Sequence, residues 1–263
     1  MSLRLTPLAA SLVLLLLAVP ATAVDHNNID ARRPLSFDDA ASLAFREQAL
    51  EFGMNLGWLR RRPLGLALDA EYLYGFQRNS HLSIGFEPSF GGRIGDRDTR
   101  PDFGDVSLGL FHNFNRQHGN TPAFALRADA VAPAGRNSRG AAFRLRGIAT
   151  RQAGQFGRVH LNVDLQGNPS AARDEREFHP GLVLGYTRPL GYPTQFTTTG
   201  LAELSVRAGE KRGAGSVLGI GVGVRKQVAV RSVFDFGFQS DIAVGGGVQR
   251  NRIRLVVGYS YGF

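Results

Sequence analysis

Arg252-Ile-Arg-Leu-Val-Val-Gly-Tyr-Ser-Tyr-Gly-Phe263 is the stretch whose reading decides the fold. Ile253, Leu255, Val257, Tyr259, Tyr261 and Phe263 occupy every second position, and Arg254, Gly258, Ser260 and Gly262 fill most of the gaps. A period of two belongs to a strand with one apolar and one polar face. In water, a greasy strand finishing on an exposed Phe would be an aggregation hazard. The same strand is at home if its apolar face meets lipid and both its edges are paired in a closed barrel.

Working back along the chain, the pattern recurs. Leu50, Phe52, Met54, Leu56 and Trp58 alternate with Glu51, Gly53, Asn55 and Gly57; Val159, Leu161, Val163 and Leu165 alternate with His160, Asn162, Asp164 and Gln166. Eleven such runs precede the last one. Each has about the 9 to 11 residues that a tilted transmembrane strand needs. The sequence thus predicts an all-β protein, a closed antiparallel transmembrane β-barrel of about 12 strands over residues 48–263. Connector lengths agree. If the first strand leaves the periplasm, the periplasmic turns are short, as at Gln77–Ser80, and the longest connectors, Gly91–Gly104 and Gly167–Pro180, lie outside. Aromatics form two girdles: Tyr72, Tyr74, Phe114, Phe124, Tyr186 and Phe234 at the periplasmic ends, Trp58, Phe90, Phe143 and Phe178 at the outer ends. Pro88 removes a ladder donor and marks a bulge or a break in pairing. The soluble competitor, a lipocalin-like or sandwich protein with an apolar interior, needs fewer strands and no aromatic terminus.

Residues 1–23 read as a secretory signal peptide, with Arg4, an apolar stretch from Leu8 to Val19 and the small-residue site Ala21-Thr-Ala23. The apolar stretch is shorter than the roughly 20 residues of a spanning helix. Residues 24–47 form a polar leader in which Ser36 is placed to cap a short helix over 37–47, with Asp38 and Asp39 at its positive end. That helix is expected in the periplasm or, as a plug, in the barrel mouth.

The chain lacks cysteine, which excludes disulfides and thiolate metal sites. Its formal charge is +9, almost all of the cations being arginine. Export and the dispersal of these arginines between strands exclude nucleic acid as a partner. Arg60–Arg62, Arg93, Arg97, Arg100, Arg136, Arg139, Arg173, Arg176, Lys211 and Arg212 lie between strands, where guanidinium forks can grip the anionic head groups of lipopolysaccharide. Outer-membrane lipid and lipopolysaccharide are therefore expected partners, around a monomer.

The inward faces carry the chemistry. Glu51, Asp69, Glu71 and Glu87 make the first three strands acidic, while Arg127, Arg144 and Arg146 make the fifth and sixth basic. With Asp129, Glu203, Arg207, Asp235, Asp241 and Arg254 they are the candidate lumen or constriction residues. A transverse field of this kind orients charged or dipolar solutes. The bland alternative is that the charges pair across strands and fill the lumen. An enzyme would need an activated serine beside a histidine. His81 and Ser83 share a face but lie at the periplasmic end, His118 falls in a turn, and His160 faces inward with no serine partner. Neither a metal-ligand cluster nor a phosphate loop is present, so neither catalysis nor a cofactor is expected. The expected role is passage of a small-molecule solute, the alternative a non-conducting structural barrel.

Two resemblances add to this. Tyr259, Tyr261 and Phe263 resemble the C-terminal signal that the barrel-assembly machinery reads in bacterial outer-membrane proteins, which implies that machinery as a partner. Phe103-Gly-Asp-Val-Ser-Leu-Gly109, Pro122-Ala-Phe-Ala-Leu-Arg127 and Val131-Ala-Pro-Ala-Gly135 are similar to the outer-membrane family labelled MetA-pathway of phenol degradation. Ala134 stands where that family more often has threonine. The resemblance implies an outer-membrane barrel with a transporter-like role in uptake of small aromatic or other hydrophobic molecules, and it supplies no catalytic residue.

Overall fold

In the computed structural model, residues 33–263 are described, apart from 60–63, 91–99, 137, 139, 192, 193, 195 and 246–251. The signal peptide, Arg60–Arg62, Arg93, Arg97 and Arg139 lie outside the described residues. Twelve antiparallel strands run in chain order: β1 Gln48–Leu59, β2 Gly65–Gln77, β3 Ser80–Phe86 with its continuation Ser89–Phe90, β4 Val106–Asn113, β5 Ala123–Ala132 and β6 Ala142–Ala153, followed by β7 Gly157–Gly167, β8 Phe178–Leu190, β9 Thr198–Ala208, β10 Ser216–Ala229, β11 Ser232–Val244 and β12 Arg252–Gly262. Every strand pairs with its chain neighbours, and β1 pairs with both β2 and β12. The sheet therefore closes on itself and leaves no open edge. Closure joins Ala49 to Gly262 and Leu59 to Arg252, so the aromatic C-terminal run is a wall strand from end to end.

Alternation places each side chain as the sequence reading requires. Phe52, Leu108, Ile220, Val222, Phe234, Phe236 and Phe238 are exposed on the outer wall, Val222 as much as 60 %. Glu51, Glu71, Arg127, His160, Asn162 and Asp235 point inward and are buried. An all-round belt of exposed aliphatic and aromatic side chains over a charged interior is stable only where hydrocarbon bathes the belt. The protein is an outer-membrane β-barrel. Turns at the end holding Gln48 and Phe263 are short, with two-residue connections at Arg78–Asn79 and Val230–Arg231, and Asn79 takes a left-handed conformation in the first (φ 62°). The opposite end carries the longer loops, including 168–177.

Pro88 acts as the sequence indicates. The β3–β4 ladder runs from Ser80↔His112 to Phe86↔Val106 and then stops. Beyond the proline a lone bridge, Ser89↔Asp102, ties this part of the wall, with two backbone bonds of 2.9 Å.

The helix expected over 37–47 is not formed. Residues 33–47 contain no helix, and Arg33–Leu43 run as an irregular segment inside the barrel. The physical reason is competition for backbone groups. Instead of helical partners, the amides of Ser36, Asp38, Ala40 and Leu43 donate to Glu203, Asn162, Thr150 and His81 of the wall. The carbonyls of Ser36, Asp38 and Ala40 accept from Arg146, Asn162 and Asn113. A short capped sequence has only a marginal helical preference, and a lumen rich in polar side chains outbids it.

Candidate functional site: the charged lumen and the segment within it

The inner segment visits the wall in order. Leu43 packs with Leu73 on β2 and Ala49 on β1. Ala40 meets Phe111, Ala125 and Ile148 on β4 to β6. Phe37 stacks on His160 of β7, with ring centroids 5.1 Å apart. Ser36 reaches β9 through Glu203, and Leu35 and Pro34 cover β10 and β11. Arg33 ends against Gly258 of β12 and forms an ion pair with Glu51 of β1. We refer to residues 33–43 as the collar.

Glycines make its bed. A Cβ on Gly185 would lie 2.6 Å from the Phe37 ring, and one on Gly223 would lie 2.9 Å from Pro34 Cγ. Both distances are shorter than any real carbon contact. Gly221 and Gly258 similarly admit Leu35 and Arg33. Inward glycines thus leave the depth that the chain occupies.

The collar is charge-matched to the walls. Its cation, Arg33, sits on the acidic side, bound to Glu51 and 3.7 Å from Asp69. Its anion, Asp38, sits on the basic side, 2.9 Å from Arg146 and 3.7 Å from Arg127. All of these groups are buried. In such surroundings an ion pair offsets its desolvation only with good geometry and further hydrogen bonds, and both are present around Asp38 and Arg146. Arg146 also grips Asp164 through two bonds of 2.6 Å.

The predicted lumen residues fall into three groups. Glu71, Arg127, Asp129 and Arg144 form one chain of contacts, with Arg146 joined to it through Asp38 and Asp69 beside it on the acidic wall: Arg127 bonds Glu71 at 2.9 Å and Asp129 at 3.0 Å, and Arg144 holds Asp129 at 2.8 Å. Asp69 accepts from Asn55 at 2.8 Å. Glu203, Arg207, Asp241 and Arg254 form a second group, with Arg207 bound to Asp241 at 2.5 Å and Glu203 accepting from Gln239 at 3.0 Å. Asp235 stands apart, 3.0 Å from Arg225. Sequence reasoning left out Arg33, Asp38, Asp164 and Arg225 as site residues. Arg225 and Asp235 were accessible to it, because the tight turn at Val230–Arg231 sets them opposite each other on β10 and β11.

Tyr259 meets Ser232 at 2.9 Å, and Tyr261 stacks with Phe263 at 6.1 Å. The Phe263 amide donates to the Gln48 carbonyl at 3.0 Å. His81 stacks on Phe111, while His160 lies between Thr150 and Thr187 at 3.1 and 3.0 Å. On the outer loops, Lys211 pairs with Asp174 at 2.6 Å and Arg212 with Glu177 at 3.4 Å. The pair holds the Asp174 carboxyl below its ordinary range and raises the Lys211 ammonium.

A closed, lipid-facing barrel with an ionised interior defines the class: a transmembrane β-barrel of the outer-membrane type. Residues 41–255 match the family described as "Putative MetA-pathway of phenol degradation", and the chain belongs to that family. Arg33–Ala40 of the collar precede the matched range. Among solved structures, the COG4313 outer membrane channel from Pseudomonas putida F1 is similar at 15 % identity and a TM-score of 0.66, over 86 % of this chain and 98 % of that one. The NanC porin is similar at 9 % identity and 0.57, over 80 % and 98 %. The KdgM porin is similar at 11 % and 0.51, over 81 % and 99 %. These likenesses are of fold. No curated protein matches the chain.

Proposed function

We propose that the protein is an outer-membrane channel for small solutes whose charged lumen is closed by its own collar. The observation that carries this reading is the placement of Arg33 on the acidic wall and Asp38 on the basic wall. Arg33 and Asp38 of the collar add to pairings that the wall makes by itself, Glu71 with Arg127 and Asp164 with Arg146. With the collar withdrawn, Glu51 and Asp69 on one side and Arg127 and Arg146 on the other each lose a partner, which leaves a transverse field suited to selecting polar solutes. The lumen walls are ionic, which supports small polar solutes over hydrophobic ones as axial cargo. For the aromatic or hydrophobic compounds that the family label suggests, support is confined to the wall, where the β3–β4 ladder breaks at Pro88 and a side exit would cross few backbone bonds.

Catalysis finds no support in the histidines. Ser80 meets His112 at 2.8 Å, but Ser80 is buried and no carboxylate orients that ring among the described residues. At Lys211 and Arg212 the charges are already matched within the loops, which weakens the support for lipopolysaccharide contact there.

A specific observation also favours a non-conducting barrel: the same pairing fills the lumen permanently if the collar never leaves. Planar-bilayer recording separates the two. The channel reading expects rare, small openings for the intact chain and steady current once residues 33–43 are deleted, with ion selectivity reversed by Glu71→Arg. A folded deletion variant that stays silent would establish the non-conducting barrel instead.

A further inference from the structure

Most inward arginines of the described lumen have a carboxylate at hand. Arg33, Arg127, Arg144, Arg146, Arg207 and Arg225 each lie within 3.7 Å of an acidic oxygen. Arg254 on β12 differs. Among the described residues it has no ion-pair partner, and its Nε is buried without a hydrogen-bond acceptor. The two acids nearest in the register are taken: Asp241 by Arg207, and Glu203 by the Ser36 amide and hydroxyl and by Gln239. Opposite Arg254 on β11 stands Gln239, only 4 % exposed. Its amide nitrogen is fixed on Glu203, which leaves the carbonyl Oε1 turned away and without a donor. An unmatched guanidinium and an orphan acceptor side by side define what is missing.

Both side chains line a cavity of about 240 Å³ above the collar, which also touches Leu35, Ser36, Asn55 and the carboxylates of Asp69 and Glu87. Arg252 lies on the boundary between this cavity and a larger one, of about 440 Å³, toward the long loops, where Arg144 and Arg207 also stand. A solute arriving from that end therefore passes a lining of mixed charge, with Arg144, Arg176 and Arg207 beside Asp129, Glu175 and Glu210, before it reaches Arg254.

We propose that Arg254 and Gln239 form a binding site for a small carboxylate that carries a hydroxyl or ammonium donor on the adjacent carbon. The carboxylate accepts from the Arg254 guanidinium in a charge-assisted bond. The neighbouring donor goes to Gln239 Oε1, and Asp69 on the far wall favours a donor over a second acceptor. An unsubstituted carboxylate satisfies only the first of these groups. This assignment names the solute class for the channel proposed above and rests on that reading, although binding is measurable without transport.

The test is calorimetric titration of the full chain, refolded in detergent, with glycolate, glycine and acetate. Glycolate or glycine binds at least tenfold more tightly than acetate, Arg254→Gln abolishes the preference and weakens binding at least tenfold, and Gln239→Leu removes the preference while leaving the weaker acetate-like binding. Arg212→Gln, in an outer loop, changes nothing. Each variant is checked for a folded barrel by its heat-shifted mobility in electrophoresis, and Arg254→Lys, which keeps the charge, retains part of the affinity if Gln itself prevents folding. Equal affinity for acetate and glycolate, or unchanged binding in a folded Arg254→Gln barrel, overturns the site. Binding with no current in any collar variant refutes the channel and leaves the site standing; current without binding does the reverse.

Discussion

Asp38 sits 2.9 Å from Arg146, and Arg146 is held at 2.6 Å by Asp164 of the next strand, so one guanidinium fastens the inner segment to two wall strands at once. The three groups are buried together. Asp38→Asn leaves Arg146 its Asp164 partner but removes the charge that holds the collar. Truncating one member of a buried pair costs about 3–5 kcal/mol when the other is left alone; with Asp164 still present the loss is smaller, about 1–2 kcal/mol. It falls on the collar and not on the barrel. Hydrogen exchange at the amides of Asp38 and Ala40, now bonded to Asn162 and Thr150, speeds up roughly tenfold or more, while wall amides are unchanged.

Filling the glycine bed displaces the collar without touching its own sequence. Gly185→Leu meets the Phe37 ring and Gly223→Val meets Pro34. Overpacking of this kind costs about 1–3 kcal/mol, and the collar is the part free to yield. Both variants fold as barrels and conduct like the collar deletion. Recordings in bilayers that match the parent chain would show that the bed is not under load.

The outer loops carry a pH-sensitive tie. Asp174 is bound to Lys211, which lowers the carboxyl's pKa and raises the ammonium's. The carboxyl's contribution is present above its unfolded value and is lost as pH falls through the lowered one. The ammonium's contribution is present below its unfolded value and is lost as pH rises through the raised one. Loops 168–177 and 209–215 are joined by a backbone bridge between Glu175 and Lys211, and the exposed ion pair tightens that joint across the neutral range but not in strong acid, strong alkali or high salt. Spin labels on the two loops report this as a broader distance distribution at the extremes, and Asp174→Asn shows the broader distribution at neutral pH.

Phe263 contributes to the wall two backbone bonds with Gln48 and one stack on Tyr261. If its larger role is to be read during assembly, Phe263→Ala lowers the amount of barrel inserted in cells several-fold, yet refolded protein unfolds in urea with a midpoint close to that of the parent. Equal losses in both measurements would make the residue structural only.

The wall was legible because alternation is a local signal. Leu161 and Asn162, or Phe234 and Asp235, take opposite faces whatever the rest of the chain does, and the charged faces follow with them. The opposition of an acidic Glu51–Glu71 side to a basic Arg127–Arg146 side was readable for the same reason. The collar was not, because its partners are far away: Ser36 binds Glu203 across 167 positions, and Asp38 binds Asn162 across 124. Local signals at Ser36 and Asp39 favour a helix start, and nothing in periodicity reveals that wall side chains will claim those amides. The loose end in the charge pairing, Arg254, emerges only when Arg33, Arg127, Arg144, Arg146, Arg207 and Arg225 have each been matched to an acid.

The account stands or falls on the collar as the element that closes a conducting lumen. The chain contains no cysteine, so an engineered pair reports cleanly. A Cβ on Gly221 would lie 2.9 Å from Leu35 Cδ2, so the two residues are neighbours, as a disulfide with Cβ atoms about 3.5–4.5 Å apart requires. With Leu35→Cys and Gly221→Cys combined, single-channel recording is predicted to show a silent, cross-linked barrel that opens when a reductant is added and closes on reoxidation. Current that flows equally through the cross-linked and the reduced protein would contradict the account.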